Sequence, residues 1–316
     1  MGELMVQNMQ RKEFTKQEIT ARVALLALGV IWGSTFVSVS STAEFFQPAF
    51  LIAMRFSISF VLLSIIFFPR FKLLNKKYLF ASLAAGITTF FGYYLQAFAM
   101  TTLGGKPGRS AFLISTYCVV VPFVSWLINK KRPNRYNIIA AVMCVGGVAL
   151  ISLPDLIADA ASPVCLADFV TLCSSLVFVV NIVAIERMAP ELDTVLFTIL
   201  HFLVGALCAI IFTFVFEHNA VPVWTKQSIA TVLYLAIPCT SIAVLLQTYG
   251  QKYTPASTAS LFFSLESVFG MTFSVLLGFE TLTANLLFGG LLIVLAIIVT
   301  ETKLSFLKKR RRTNTR

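Results

Sequence analysis

Long apolar runs alternate with short polar segments along almost the whole chain. Ten runs carry little charge and are long enough to matter, at residues 23–41, 48–68, 78–100, 110–128, 136–153, 166–185, 194–216, 228–249, 256–279 and 282–300. A helix needs about 20 apolar residues to cross about 30 Å of hydrocarbon. Because a bilayer offers no water to an open backbone, each run is predicted to be a helix. The pattern predicts an all-α membrane protein with ten transmembrane helices.

The composition supports this fold class. Of the 316 residues, 58% are hydrophobic and 12% are charged, whereas soluble domains average about 45 to 50% and about 25%. Ten crossings use about 200 residues, so the remainder makes short connections and two tails. A soluble globular protein is excluded, and so is a soluble catalytic domain of ordinary size.

The basic residues are distributed unevenly between the two sides of the predicted bundle. If the N-terminus lies inside, 21 of the 25 Lys and Arg residues fall in inside segments, and only Lys106, Arg109 and Lys226 fall outside. Positive residues are retained on the cytoplasmic side during insertion, so both termini are predicted to be cytoplasmic. The positive charge lies between apolar runs rather than on a soluble face, and we therefore expect no nucleic-acid partner.

The cysteines and the N-terminal segment indicate no further chemistry. The six cysteines fall mostly within apolar runs and have no CxxC spacing, so neither a disulfide framework nor a metal site is indicated. The N-terminus is polar for about twenty residues and lacks the small-residue cleavage site of a signal peptide. We expect no cofactor.

The chain repeats itself weakly at an offset of about 148 residues. Equivalent positions include Arg55-Phe56 with His201-Phe202, residues 95–99 with 246–250, Pro107 with Pro255, and Asn137 with Asn285. The predicted organisation is a cytoplasmic tail (1–22), a first five-helix repeat (23–153), an external linker (154–165), a second five-helix repeat (166–300) and a basic cytoplasmic tail (301–316). Since five is odd, the two repeats have inverted topology, which is an architecture of secondary transporters.

Several motifs resemble a known family, the drug/metabolite transporter superfamily and within it the ten-helix EamA-like transporters. They are IWGSTF at 31–36, Arg55-Phe56, the segment 110–133, TPASTASLFFSLESVFG at 254–270, and Glu280 after the ninth run. Ser267 stands where the family often has proline, and Lys130-Lys131 where some members have an acid, so the subfamily and substrate stay open. The resemblance implies export of small metabolites, amino acids or drugs across the plasma (inner) membrane, often with protons.

Three ionisable residues lie deep within the predicted spans, where a charge costs about 2.5 to 3.5 kcal/mol. Glu266 lies near the midplane, and its repeat mate is Tyr117. Glu266 is interpreted either as a proton-binding or cation-binding carboxylate, or as one partner of a structural ion pair with Arg55. Arg55 could instead bind a substrate carboxylate or reach toward the outer surface. His201 could titrate near neutral pH or serve only in packing.

Further candidates are polar or aromatic residues within the apolar runs. Gln96 and Gln247 are repeat mates, near the outer end of the third span and the inner end of the eighth. They are interpreted as gates, with a helix-to-helix hydrogen bond as the alternative. Trp32, Tyr94 and Tyr117 are candidates for an aromatic substrate box, although bilayer packing explains aromatic residues equally well. The pairs Gly146-Gly147 and Gly289-Gly290 in the fifth and tenth helices predict either a homodimer contact or close packing within the chain.

The sequence as a whole predicts a secondary active transporter that works by alternating access on a small-molecule substrate. The resemblance implies protons as the coupling ion, with facilitated diffusion as the alternative. An uptake permease of the same fold is the nearest alternative. A membrane-embedded enzyme is disfavoured, because no second His or Asp joins His201 at one depth to form a catalytic site. We therefore predict no catalytic residues, and the remaining partner is the lipid bilayer.

Overall fold

The structure is a computed structural model that describes residues 16–129, 133, 135–158, 163–218, 221–254 and 256–302. Regular structure within these ranges is helical, without strands. We number the α-helices as follows: α1 Lys16–Ser40, α2 Pro48–Ile66, α3 Lys76–Thr101, α4 Pro107–Ile114, α5 Tyr117–Asn129, α6 Arg135–Ala158, α7 Pro163–Met188, α8 Thr194–Phe216, α9 Lys226–Ala236, α10 Ala243–Tyr253, α11 Ala256–Phe263, α12 Leu265–Leu276 and α13 Ala284–Thr302.

Seven helical segments of the described ranges are long and apolar enough to cross a membrane. They are Lys16–Ser40, Pro48–Ile66, Lys76–Thr101, Pro107–Ile128, Pro163–Glu191, Thr194–Phe216 and Lys226–Tyr253. Three shorter apolar helices accompany them, at Arg135–Ile151, Leu265–Leu276 and Ala284–Val299. The predicted class, an all-α membrane protein, is confirmed. The count of ten crossings, their inverted arrangement and the domain boundaries stay predictions, and the basic cluster at 308–312 lies outside the described residues.

Local sequence explains where several helices begin. Pro48 and Pro107 occupy first-turn positions of α2 and α4, where the missing N–H costs nothing. The side chain of Asp193 accepts from the N–H of Leu196 at 3.0 Å and caps α8. Thr225 and Ser228 form a reciprocal capping box at the start of α9. Each cap satisfies backbone donors that a helix end leaves open.

Three of the apolar segments are interrupted within the described residues, which the apolar runs do not predict. A turn at Ser115 and Thr116 separates α4 from α5, and Ser264 separates α11 from α12. A π-helical turn, Ile237–Ile242, separates α9 from α10 and contains Pro238. Such interruptions are tolerated in a membrane protein where side chains or neighbouring helices satisfy the freed backbone groups.

Close packing between helices depends on glycines at a few crossings. A Cβ on Gly33 of α1 would lie 2.4 Å from Cβ of Phe269 in α12, and one on Gly92 of α3 would lie 2.8 Å from the ring of Phe178 in α7. Gly147 of α6 and Gly289 of α13 contact each other, since a Cβ on either would lie 2.8 Å from the other's carbonyl oxygen. Gly147 and Gly289, which the sequence places in the fifth and tenth predicted spans, therefore serve packing within the chain. The homodimer through these helices stays a prediction.

Candidate functional site

The breaks at Ser115-Thr116 and at Ser264 bring Tyr117 and Glu266 together. Tyr117 is the first residue of α5, and Glu266 is the second residue of α12. The hydroxyl of Tyr117 donates to Oε1 of Glu266 at 2.9 Å, and both side chains are buried. The sequence predicts these residues as repeat mates at the centre of the bundle, and the structure joins them directly.

Hydroxyl and thiol side chains satisfy the backbone around these breaks. Ser115 donates to the carbonyl of Ala111 at 3.0 Å, and Thr116 donates to that of Leu113 at 2.8 Å. Across the gap between the segments, Sγ of Cys118 donates to the carbonyl of Ser260 at 2.7 Å. Local bonds of this kind compete with the helical ladder and stabilise a turn inside an otherwise apolar run.

A narrow cavity with about 30 Å³ of free space lies beside the Tyr117–Glu266 pair. Its lining comes from α1, α3, α4, α5, α7, α10, α11 and α12, and comprises Trp32, Thr35, Phe36, Tyr93, Gln96, Ile114, Tyr117, Phe178, Ile182, Gln247, Phe263 and Glu266. Within the described part of the chain, Glu266 is the one carboxylate of this lining and no basic side chain joins it. The lining matches that of a small-molecule site, which is mostly apolar with a few placed polar groups.

Both glutamines proposed as gates line this same cavity. Trp32 also lines it, with its ring centroid 5.5 Å from that of Phe263. Tyr94 lies elsewhere: its ring contacts those of Phe90, Phe98 and Phe212 at 5.7, 5.9 and 5.3 Å. The tyrosine that faces the cavity from α3 is its neighbour Tyr93.

Arg55 is buried behind Tyr93 rather than in the cavity lining. Its Nε donates to Oγ1 of Thr240 at 3.1 Å, and its Cζ lies 5.0 Å from the ring centroid of Tyr93. Nη2 of Arg55 is buried and has no hydrogen-bond partner among the described residues. The ion pair with Glu266 that the sequence left as an alternative is not formed, since the two side chains have these separate partners.

The partner of Arg55 comes from the π-helical turn. Thr240 lies in this turn and donates in its own right to the carbonyl of Leu235 at 2.6 Å. The carbonyl of Ala236 accepts from Ser241 and from Ser59 of α2, both at 2.9 Å. Pro238 supplies no N–H to the helical ladder, and the hydroxyl side chains add donors to the carbonyls of Leu235 and Ala236 in this turn. Pro238 is the sequence signal for this turn, but nothing in the sequence pairs Thr240 with Arg55.

His201 belongs to a second buried polar cluster, away from the described lining of the cavity. Its Nε2 lies 2.5 Å from Oγ1 of Thr89, and Asn181 donates to the same oxygen at 2.9 Å. Asn181 also donates to the carbonyl of Ala85 at 3.2 Å. The cluster links α3, α7 and α8. Its role in coupling is not tested by this placement and stays a prediction.

Charged groups tie α2 to α8 at both ends. At one end, Glu217 accepts from the backbone N–H groups of Ala49 and Phe50 at 2.8 and 2.9 Å. Burial raises the pKa of the Glu217 carboxyl, and these two N–H donors oppose the rise. At the other end, Nη1 of Arg70 pairs with Oδ2 of Asp193 at 2.5 Å. Among the described residues, no group of His, Cys, Asp and Glu is placed to hold a metal ion.

Comparison with known proteins agrees with this fold. The model of the EamA-like transporter family matches residues 20–153 and, separately, residues 166–302. An uncharacterized transporter of Archaeoglobus fulgidus is 28% identical over 291 residues, which are 91% of this chain and 87% of the relative. The uncharacterized transporter YoaV of Bacillus subtilis (strain 168) is 22% identical over 89% of this chain and 96% of its own. A solved crystal structure of 17% identity has a TM-score of 0.67, with 91% of this chain and 98% of that chain covered. At that identity the likeness shows the fold alone.

Proposed function

Because this chain belongs to the EamA-like transporter family, as its motifs predict, we propose that it is a secondary active transporter that moves a small amphipathic solute by alternating access. The coarser part of this statement, a multi-pass membrane transporter, follows from the family and from relatives that are themselves named transporters. The proposal adds the architecture, the solute site, the coupling group and the direction.

The architecture we propose is two inverted five-helix repeats. Two observations support it. The same family model matches once in each half of the chain, and the breaks at Ser115 and Ser264 lie 149 residues apart, close to the repeat offset. Packing supports it as well: α3 packs against α7 as α1 packs against α10. Halves related in this way offer two similar packings, one open to each side.

The observation that carries the proposal is the hydrogen bond from Tyr117 to Glu266 at the wall of the central cavity. It joins a broken helix of the first half to a broken helix of the second. A hydrogen bond to a charged group contributes about 1.5 to 3 kcal/mol, which is the range of typical coupling free energies between sites, about 1 to 3 kcal/mol. This hydrogen bond is therefore strong enough to favour one conformation over another and weak enough to break. A ligand group or a proton that binds the Glu266 carboxylate competes with Tyr117 for it.

The solute follows from the lining. Aromatic and aliphatic side chains suit an apolar body, while Glu266, Gln96 and Gln247 suit a polar group that donates hydrogen bonds or carries positive charge. Arg55 acts as a positioning residue, because its guanidinium lies against the ring of Tyr93 that faces the cavity. Substrate binding thus involves Glu266, Tyr117 and Trp32, with Arg55 and His201 in supporting or coupling roles.

Coupling to protons follows from the cost of an unpaired charge in the membrane. An ionised carboxylate near the bilayer centre costs about 2.5 to 3.5 kcal/mol, so a proton on Glu266 favours the return of the empty carrier. A proton and the solute then occupy Glu266 in turn, so protons that enter along the gradient across the plasma (inner) membrane drive export of the solute. We propose this for an orientation with both termini in the cytoplasm, which the basic residues predict. An uptake permease would use the same cavity with the solute gradient reversed.

A ligand panel tests the proposal. Purified protein in detergent is heated with small amines, amino acids and neutral metabolites at about pH 5.5 and about pH 7.5, since binding stabilises the folded state by mass action. We expect a hit whose thermal shift depends on pH and is lost in Glu266→Gln. The matched control is Glu280→Gln, which alters another buried carboxylate, one that is absent from the described lining of the central cavity. Equal shifts in wild type and both variants would place the solute site elsewhere.

A further inference from the structure

A second pocket, distinct from the central cavity, lies where α3 begins and α7 ends. It measures about 430 Å³ and is lined by Lys76, Lys77, Phe80, Ala81, Arg187, Met188, Glu191 and Leu192. Lys76 is the first residue of one candidate membrane span, and Glu191 is the last residue of another. The pocket therefore lies at a boundary between hydrocarbon and water.

The pocket carries excess positive charge. Nζ of Lys77 pairs with Oε2 of Glu191 at 3.2 Å, and both side chains are more than two-thirds exposed. This pair leaves Lys76 and Arg187, which form no ion pair or side-chain hydrogen bond with any residue that the structure describes. Two cations from different helices thus face one concave surface without a carboxylate of their own. This arrangement is complementary to a bound anion.

Lys76 and Arg187 each lie at one end of an exposed apolar helix face. On α3, Lys76, Phe80 and Leu83 follow one another at i, i+4 and i+7, and the last two are 75% and 47% exposed. On α7, Leu176 and Val180 are 53% and 51% exposed, and Arg187 lies on the same face. Residues at such spacings share one side of a helix.

The two faces run from the pocket toward the middle of the membrane in the same direction. The helices pack side by side with opposite chain directions, since Asn181 donates to the carbonyl of Ala85, and Ser174 to that of Gly92. The end of α7 therefore lies beside the start of α3. The result is a cationic pocket at the surface with apolar side chains leading away from it on both helices.

We propose that this pocket binds the headgroup phosphate of an anionic phospholipid, with its acyl chains along the exposed faces of α3 and α7. Lys76 and Arg187 pair with the phosphate, for which the guanidinium fork is well suited. Basic pockets between membrane helices recognise anionic headgroups in this way. The exposed apolar faces select a lipid over a free anion, because a free anion makes no use of them.

Lipid titration of the purified, delipidated protein tests this assignment. Native mass spectrometry counts bound lipids, and thermal unfolding measures stabilisation, with phosphatidylglycerol, phosphatidylcholine and inorganic phosphate as separate probes. We expect phosphatidylglycerol to remain bound and to raise the unfolding temperature by several degrees more than phosphatidylcholine. Equal effects of the two lipids would overturn the proposal. The same shift with inorganic phosphate would also overturn it, because the site would then take a free anion.

Charge variants locate the effect. The double variant Lys76→Gln/Arg187→Gln should lose at least half of the difference between the two lipids. The matched control Lys106→Gln/Lys226→Gln removes two positive charges outside the pocket and should keep the difference. If instead both double variants behave alike, the pocket is not the site.

Phe80→Trp gives a second measurement that needs no charge change. Its fluorescence should be quenched more by phosphatidylglycerol brominated in the acyl chains than by the matching phosphatidylcholine, and equal quenching would contradict the proposal.

Discussion

Two pairs of apolar segments of this protein make contact by opposite means. The helices α6 and α13 pack through glycines, with the backbones of Gly147 and Gly289 in contact and Ile293 filling the space beside them. The segments α4–α5 and α11–α12 are interrupted instead, and they meet through one buried polar contact beside a cavity. Close apolar packing favours one arrangement, whereas a single exchangeable hydrogen bond permits two.

We infer from this difference that α6 and α13 form a fixed part of the molecule and that the segments α4–α5 and α11–α12 form a moving part. Helices that pack through backbone contacts cannot slide without a clash, so α6 and α13 are suited to hold the two halves together. Helices that meet at a carboxylate can separate when another group occupies that carboxylate. Changes to the first pair should therefore affect stability, and changes to the second should affect transport.

The largest expected effect on stability is at the glycine contact. Gly147→Ala places a Cβ 2.6 Å from Cγ1 of Ile293 and 2.8 Å from the carbonyl oxygen of Gly289, which should cost about 1 to 3 kcal/mol through overpacking. The neighbouring Gly146→Ala is the control, because its Cβ would meet only Cδ2 of Leu292 at 3.4 Å. Thermal unfolding in detergent should separate the two variants, while transport per folded molecule stays near wild type in both. Similar unfolding temperatures for the two variants would contradict the packing account.

Tyr117→Phe tests the second pair, the segments that meet at Glu266. It removes the hydroxyl that donates to Glu266, and loss of such a bond is worth about 1.5 to 3 kcal/mol. We expect solute transport to change about tenfold, with a much smaller change in unfolding temperature than Gly147→Ala gives. Transport assays in proteoliposomes at equal protein content measure it. A variant that transports at the wild-type rate would remove this hydrogen bond from the mechanism.

Changes at the two glutamines should be smaller. Gln96→Leu and Gln247→Leu each remove one carboxamide from the cavity lining but leave the Tyr117–Glu266 pair in place. As gates, they should slow transport several-fold while the thermal shift on ligand binding persists. A loss of binding together with transport would make them contact residues for the solute, and unchanged transport would remove both assignments.

The smallest expected effect is a pH dependence of stability. It comes from Glu280, which lies between two predicted spans. Burial raises the pKa of the Glu280 carboxyl above its ordinary value of 4.5, so the folded state binds this proton more tightly than the unfolded state. Its contribution to stability is then full below about 4.5 and is lost as pH rises through the folded-state pKa. The unfolding temperature of wild type should therefore decrease relative to that of Glu280→Gln as pH rises from about 4 to about 7. A gap that is constant across this range would contradict the assignment.

Much of the scaffold is predictable from hydropathy alone. The predicted run 194–216 coincides with α8, Thr194–Phe216, and the run that starts at Pro48 coincides with the start of α2. The breaks at Ser115 and Ser264 escape prediction because the serines that bond to nearby carbonyls there, Ser115 and Ser267, are too small and too weakly polar to interrupt an apolar run. Hydropathy therefore finds the spans but not their interruptions.

The site is only partly predictable, for a geometric reason. Depth along a helix places Glu266 and Tyr117 at the centre, and the repeat relates them to each other. Which of two adjacent aromatic residues faces the cavity, Tyr93 or Tyr94, depends on the rotation of α3, since neighbours on a helix point about 100° apart. The pairing of Arg55 with Thr240 depends on a local π-helical turn in another helix. Contacts of this kind are set by tertiary packing.

The most direct measurement is proton movement driven by solute in proteoliposomes that contain a pH-sensitive dye. A solute found in the ligand panel is applied on one side, with wild type, Glu266→Gln and the control Glu280→Gln reconstituted at equal density. The account predicts that wild type and Glu280→Gln move protons opposite to the solute, and that Glu266→Gln loses this movement by at least about tenfold, or about 1.4 kcal/mol. Proton movement that persists in Glu266→Gln at the wild-type rate would contradict the role of this carboxylate as the coupling group.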